Sequence, residues 1–220
     1  MAKSEQTRTL IMETALRLFQ EQGYDRTTMR AVAKQAGVST GNAYYYFESK
    51  DHLIQGFYDR IQAAHRDACT EILASERDFA PRLRGVLLAW LDVAEPYHEF
   101  AGQFFKNAAD PASPLSPFSD SSQPARAASI GLFEEVLAGV RLDPGLRAEL
   151  PRLLWLYLMG IVLFWVHDRS AGRSRSRMLV NRTVPLVDRL IHMSRLPGLR
   201  PITREIVSLA GDLSAGRTPR

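Results

Sequence analysis

Residues 27–50, TTMRAVAKQAGVSTGNAYYYFESK, restrict the fold more than any other stretch of this chain. A helix-forming run over 28–36 stops at Gly37, which can adopt the left-handed conformation that ends a helix and turns the chain. Ser39 and Ser49 each carry the side-chain oxygen that an N-cap requires, so a second helix starts at Ser39 and a third after Ser49. Ala33, four residues before the glycine, is small enough for two helices to cross closely. Val32, Ala36, Val38, Ala43 and Phe47 supply an apolar inner face. Ser39, Thr40, Gly41, Asn42, Tyr44 and Tyr45 are left to point outward, polar and aromatic and without charge. That face suits a helix laid against base edges and phosphates in a DNA major groove. A helical hairpin with solvent-exposed tyrosines has the same local pattern, and helix–glycine–helix segments are common.

Neighbouring residues narrow the choice. A preceding amphipathic helix ends at Gly23, and Ser49-Lys50-Asp51 opens the next helix with backbone amides and a lysine able to hold a phosphate. With these pieces, residues 5–65 resemble the DNA-binding domain of the TetR (tetracycline repressor) family of bacterial transcriptional regulators. The matching residues are Ala15, Leu18, Phe19, Gly23-Tyr24, Thr27-Thr28, Val32-Ala33, Ala36-Gly37-Val38-Ser39, Gly41-Asn42, Tyr44-Tyr45, Phe47 and Ser49-Lys50. They cover only the first third of the chain. The resemblance implies an all-α homodimer that binds palindromic operator DNA and releases it when a small ligand enters the C-terminal domain.

The resemblance also implies a set of DNA contacts. Thr27 or Thr28 caps the second helix and touches phosphate, and Arg30 reaches a base or a phosphate. Ser39, Thr40, Gly41, Asn42 and Tyr44 face the groove, while Tyr45 and Lys50 hold phosphates. Two residues depart from the family pattern. Thr40 stands where lysine or arginine is frequent, so a long cationic base contact is missing there. Tyr46 stands where histidine is common, which leaves its role open between inward packing and a phosphate contact.

The chain has 220 residues, 45% of them hydrophobic, enough for a sizeable core. Its single cysteine, Cys69, allows no internal disulfide and fits a reducing cytoplasm. The first residues contain no apolar core of signal-peptide type. The longest apolar run, 153–166, is short for a bilayer span and fits a buried helix, so no membrane partner is expected. Net charge is +4, yet residues 1–60 hold eight Lys/Arg against seven Asp/Glu, while 160–220 hold eleven arginines against four acids. DNA affinity is therefore expected to lean on dimer avidity, hydroxyls and backbone amides rather than a dense positive field. The arginine-rich end reads more readily as a solvated surface than as a second nucleic-acid contact.

Two domains are expected: 5–65, with the helix-turn-helix at about 28–47, and 66–215 for ligand binding and dimerisation. All elements read as helices, over 4–22, 28–36, 39–47, 50–75, 80–94, 96–108, a stretch ending near 140, 148–168, 176–194 and 202–213. Leu53, Phe57, Ile61, Ala64, Ala68 and Ile72 mark one face of 50–75, which at ~1.5 Å per residue is long enough to link both domains. Residues 110–124 hold four prolines and five serines and read as a mobile loop. Pro185 is expected to bend the helix over 176–194.

The 148–168 helix is apolar nearly all round, and a second copy is the natural cover for such a helix. Gly160 permits close approach, and Trp155, Leu158, Ile161, Val162, Trp165, Val184, Val187 and Ile191 are the expected dimer contacts. A monomer with this helix at its own centre is the alternative. For a ligand pocket the candidates are Trp90, Phe100, Gln103, Phe104, Trp155 and His167, although any single one reads as core before pocket. His65 and Cys69 have metal-compatible spacing, but two ligands do not make a site. No metal, cofactor or catalytic signature is read. The function expected is a ligand-responsive DNA-binding regulator, most simply a repressor released by a small apolar or aromatic effector. The alternatives are a helical interaction protein whose helix-turn-helix does not read DNA, and a ligand-processing enzyme.

Overall fold

The computed structural model describes residues 2–102, 110, 113–194 and 205. In chain order the helices are α1 (Ala2–Gln22), α2 (Met29–Gln35), α3 (Thr40–Tyr46), α4 (Lys50–Ser75) and α5 (Phe79–Ala94). A 3-10 turn, Glu95–Tyr97, leads into α6, of which residues 98–102 are described. After a run of turns come α7 (Gln123–Val136), α8 (Pro144–His167), a second 3-10 turn (Ala171–Arg173) and α9 (Ser174–Met193). Among the described residues there is no strand. The rest of the helix expected over 96–108 and, apart from Glu205, that over 202–213 lie outside the described residues, as do Gln103 and Phe104. Pro185 lies inside α9, which continues through it.

The chain divides into two compact units. The first contains the residues up to Ala64 together with Ala94–Arg126. Ile11, Ala15 and Phe19 of α1, Val32 and Ala33 of α2, Ala43 of α3, Phe47, and Leu53 and Ile54 of α4 form its buried centre. Phe100 and Leu115 join that centre, Phe100 stacking on Phe19 at 6.1 Å and meeting Phe57 edge-on at 5.6 Å. The first unit is therefore larger than the expected 5–65 domain.

The Pro/Ser-rich segment, expected as a loose loop, is tied down over 113–122. Tyr58 donates to Leu115 O at 3.0 Å and Gln55 to Pro114 O at 2.9 Å. Serine hydroxyls supply bonds within the turns, among them Ser119 Oγ to Pro114 O at 2.8 Å. Leu115, Ser116 and Ser122 are buried as a result. Composition marked this segment as irregular, but irregular backbone can still be fully hydrogen-bonded.

The second unit holds His65–Val93 and the residues from Ala127 onward. Leu83, Val86, Leu87 and Leu91 of α5, Leu132 and Phe133 of α7, Leu158 and Ile161 of α8, and Val180 and Val184 of α9 are buried there. The buried stripe of α4 runs through His65 and Cys69, with Ala64 and Ala68 exposed. From Phe57 and Ile61 the stripe simply continues in steps of four, a spacing that keeps residues on one helix face. Gly85 lets α4 and α5 touch: a Cβ there would lie 2.5 Å from Ile72 Cγ2. Asp168, buried beyond the end of α8, accepts from Ser170 N and Oγ at 2.9 and 2.6 Å and from Ser176 N and Oγ at 2.8 and 2.7 Å.

Candidate nucleic-acid interface

Each boundary of the helix-turn-helix is set by a local side-chain bond. Thr28 is the N-cap of α2, its hydroxyl accepting from Ala31 N at 3.1 Å. Gly37 takes φ +69°, and the chain turns there while Val38 N donates to Ala33 O at 3.0 Å. Ser39 caps α3 by accepting from Asn42 N at 3.1 Å, and Ser49 caps α4 by accepting from His52 N at 3.0 Å. Such caps satisfy amides that a helix start leaves open. Ala43 and Phe47 hold α3 inward, both fully buried.

The outward face of α3 consists of Thr40, Gly41, Tyr44 and Tyr45, all exposed, with Ser39 at its edge and Asn42 half-buried. Tyr45 is 80% exposed and leans on Tyr46, ring centroids 5.1 Å apart and edge to face. Tyr46 is half-buried against the core and its hydroxyl meets Ser4 Oγ at 3.2 Å, so it packs inward. On α2, Arg30 and Lys34 lie four apart and are exposed.

One expected contact is corrected, and a second residue is engaged within the chain. Thr27 is fully buried; its hydroxyl donates to Gly23 O at 2.8 Å and accepts from Gln22 Nε2 at 3.1 Å. It holds the turn before α2 and cannot meet a phosphate. Lys50 points its ammonium at Tyr24 O, 2.8 Å away, and 4.3 Å above the Tyr24 ring. Tyr24 in turn donates to Asp51. Burial, then the hydrogen bond to Asp51 and its charge, hold the Tyr24 phenol well above its usual range. Lys50 thus fastens the start of α4 to the α1–α2 turn. The sequence signal was present, since Tyr24 and Asp51 both appear in the family-like stretch, but spacing alone does not tell a phosphate-holding lysine from a bracing one.

The candidates in the second unit need larger corrections. Trp155, Leu158, Ile161, Trp165, Val184 and Ile191, expected between two copies, are buried within a single chain. Val162 and Val187 are half-buried. The helices expose a different set: Leu156, Gly160, Leu163 and Phe164 on α8, and Met178, Leu186, Leu190 and Met193 on α9. A helix apolar all round does not reveal which side its own chain covers. By length and composition α8 would also suffice to cross a membrane, but nine of its residues are buried in this unit.

The pocket candidates among the described residues fall in both units. Phe100 belongs to the core of the first unit. Trp90 meets Trp165 edge-on at 5.3 Å, Trp155 is buried core, and His167 is exposed. His65, set aside above as half of a metal pair, is fully buried and gives Nε2 to Val86 O at 2.8 Å, leaving Nδ1 without a partner. Burial pushes its pKa down, so the ring is neutral. Burial likewise pushes the Cys69 thiol up to about 12. Among the described residues no cluster suited to a metal occurs.

Residues 11–56 match the family model described as bacterial regulatory proteins, tetR family, and residues 82–209 match that of the tetracyclin repressor-like C-terminal domain. The HTH-type transcriptional repressor KstR2 of Mycobacterium tuberculosis is 35% identical over 92 residues, covering 40% of this chain and 44% of that relative. The chain thus aligns with less than half the length of that relative. The TetR transcriptional regulator from Nitrosomonas europaea superposes with TM-score 0.65 at 18% identity, over 81% of this chain and 96% of that one. FadR of Thermus thermophilus, a TetR-family repressor solved in complex with lauroyl-CoA, gives TM-score 0.58 at 21% identity, over 80% and 92%. With one family model spanning more than half of its residues and the other lying across the helix-turn-helix, the chain belongs to the tetR family of bacterial regulatory proteins.

Proposed function

We propose that the protein is a ligand-responsive transcriptional repressor that binds palindromic operator DNA as a homodimer through α2 and α3. The observation that carries this reading is the outward face of α3: Thr40, Gly41, Tyr44 and Tyr45 are held in the open by caps at both ends and a buried inner face. Thr28 and Tyr45, with Arg30 and Lys34, contribute phosphate contacts on either side of the groove-facing residues. In the dimer two copies of α3 enter successive major grooves, roughly 34–36 Å apart.

The exposed ridge of α8 and α9 provides the dimer contact. Gly160 lies on this exposed side of α8, where no side chain stands in the way of a close approach by a second helix. The effector is a small apolar molecule bound in the second unit, whose interior is largely aliphatic and aromatic. The Thermus relative was solved with lauroyl-CoA, a ligand with one long apolar chain on a charged carrier. To weaken DNA binding by ~100-fold the effector must prefer the non-binding state by about 2.7 kcal/mol. The protein acts in the cytoplasm and performs no chemistry on its ligand.

A gel-shift of the purified protein with its own promoter region tests the reading. Tyr44→Ala is expected to weaken the specific complex without loss of helicity, and Arg30→Ala to lower the salt slope by about one phosphate contact. Unchanged binding in both variants would remove this surface from consideration.

A further inference from the structure

The exposed apolar ridge of α8 and α9 has a charged edge. On α9, Arg175, Arg182 and Arg189 are all exposed and stand seven residues apart. Seven residues make two turns, so the three form one row along the helix at ~10 Å intervals. The row lies opposite the buried Val180, Val184 and Ile191. Thr183, which Tyr157 of α8 meets, marks the side of α9 next to α8. Leu190, seven residues after Thr183, is exposed on that side, and the arginines border it on the side away from α8.

Little in the chain neutralises the row. Arg177, half-buried on another side of α9, pairs with Asp92 at 2.5 Å, whereas none of the three forms an ion pair with a described residue. Asp188 stands off the row and meets His192 at 3.3 Å. The sequence of α8 contains a single carboxylate, Glu149, seven residues before the exposed Leu156, and adds Arg152 on the same side. Each copy thus brings four arginines and one glutamate to this face. Apolar side chains draw two such faces together, and their arginines push them apart. Only the second force depends on ionic screening: repulsion between exposed charges reaches ~30 Å at 0.01 M salt but ~8 Å at 0.15 M.

We infer that the arginine row makes the pairing of two copies respond to salt in the reverse sense to DNA binding: the dimer tightens as salt rises, whereas phosphate contacts loosen. The inference rests on the reading of α8 and α9 as the dimer contact. Charges at the edge of an interface act chiefly on association rate and salt response, so the row tunes the dimer without forming it. Because a palindromic operator takes two copies, the two trends oppose each other. Dilute protein therefore loses DNA less steeply with salt than its phosphate contacts alone dictate.

Sedimentation of the full chain over a dilution series, in about 20 mM and about 300 mM sodium chloride, tests this. The dimer Kd should fall about fivefold or more at the higher salt. Arg182→Gln with Arg189→Gln, both at exposed positions, should keep the helicity, tighten the dimer at low salt and remove most of the salt response. Below the dimer Kd, DNA binding by that variant should fall more steeply with salt than in wild type. A dimer that weakens with salt or ignores it, or a variant that keeps the wild-type response, overturns the inference and leaves the dimer standing. So does a dimer that never dissociates on dilution at the lower salt. A chain that stays monomeric at micromolar concentration in both salts removes the dimer contact and this inference with it.

Discussion

A carboxylate buried as deeply as Asp168 would ordinarily hold a proton. Burial pushes it in that direction, but the amide and hydroxyl of Ser170 and of Ser176 outweigh burial and hold it well below the usual carboxylate range. Because the folded value lies below the ordinary 3.8, its stabilisation is complete above about pH 4 and is lost as pH falls further. Asp168→Asn should cost about 2–3 kcal/mol in urea unfolding at pH 7, and the gap from wild type should narrow as pH falls below 4. Equal stability at pH 7 would show that the clasp contributes nothing. Single residues were the least readable scale in the sequence. Thr27 and Thr28 are adjacent and alike, yet one is an interior brace and the other a cap. Which hydroxyl faces water depends on the angle at which α1 hands over to α2, which no local pattern encodes.

For whole elements the sequence was a better guide, because helix ends are decided by nearby atoms. Thr28, Ser39 and Ser49 start α2, α3 and α4 through bonds spanning three residues and Gly37 ends α2 through its positive φ; Gly37, Ser39 and Ser49 were identifiable from residue type, while the first cap stayed open between Thr27 and Thr28. The face that α4 buries was less readable, since His65 does not look like core. Its burial is sustained by the bond to Val86 O and by a neutral ring. The folded pKa is below the ordinary 6.5, so the unfolded chain takes up the proton first and stability falls as pH drops through about 6.5. Unfolding followed from pH 8 to pH 5 should show this decline in wild type, and His65→Leu should flatten it. A wild-type profile level over that range would contradict a buried neutral ring. This step lies well above that of Asp168, so the two acid losses can be resolved in one titration.

At the scale of the molecule, the sequence conveyed that α8 is too apolar for solvent but not which of its sides the chain covers for itself. That choice is made by α5 and α9, through contacts such as Trp90 on Trp165 and Tyr157 with Thr183. What remains outside includes Leu163 and Phe164 on α8 and Leu186 and Leu190 on α9, large apolar side chains that the single chain leaves in solvent. Leu163→Glu with Leu190→Glu should give a folded monomer in sedimentation, because neither side chain is needed inside the unit, whereas Trp155→Glu should not fold. A wild-type chain that sediments as a monomer at micromolar concentration would rule the ridge out as a dimer contact.

That these apolar side chains and α3 belong to different units has a genetic consequence. In the proposed dimer a copy carrying Thr40→Ala and Tyr44→Ala keeps α8 and α9 intact, so in a cell that also makes the wild type it would enrol normal chains into pairs with one blind half. Such an allele should act dominantly, derepressing a promoter reporter although the normal gene is present, and adding Leu163→Glu and Leu190→Glu to the same copy should make it recessive.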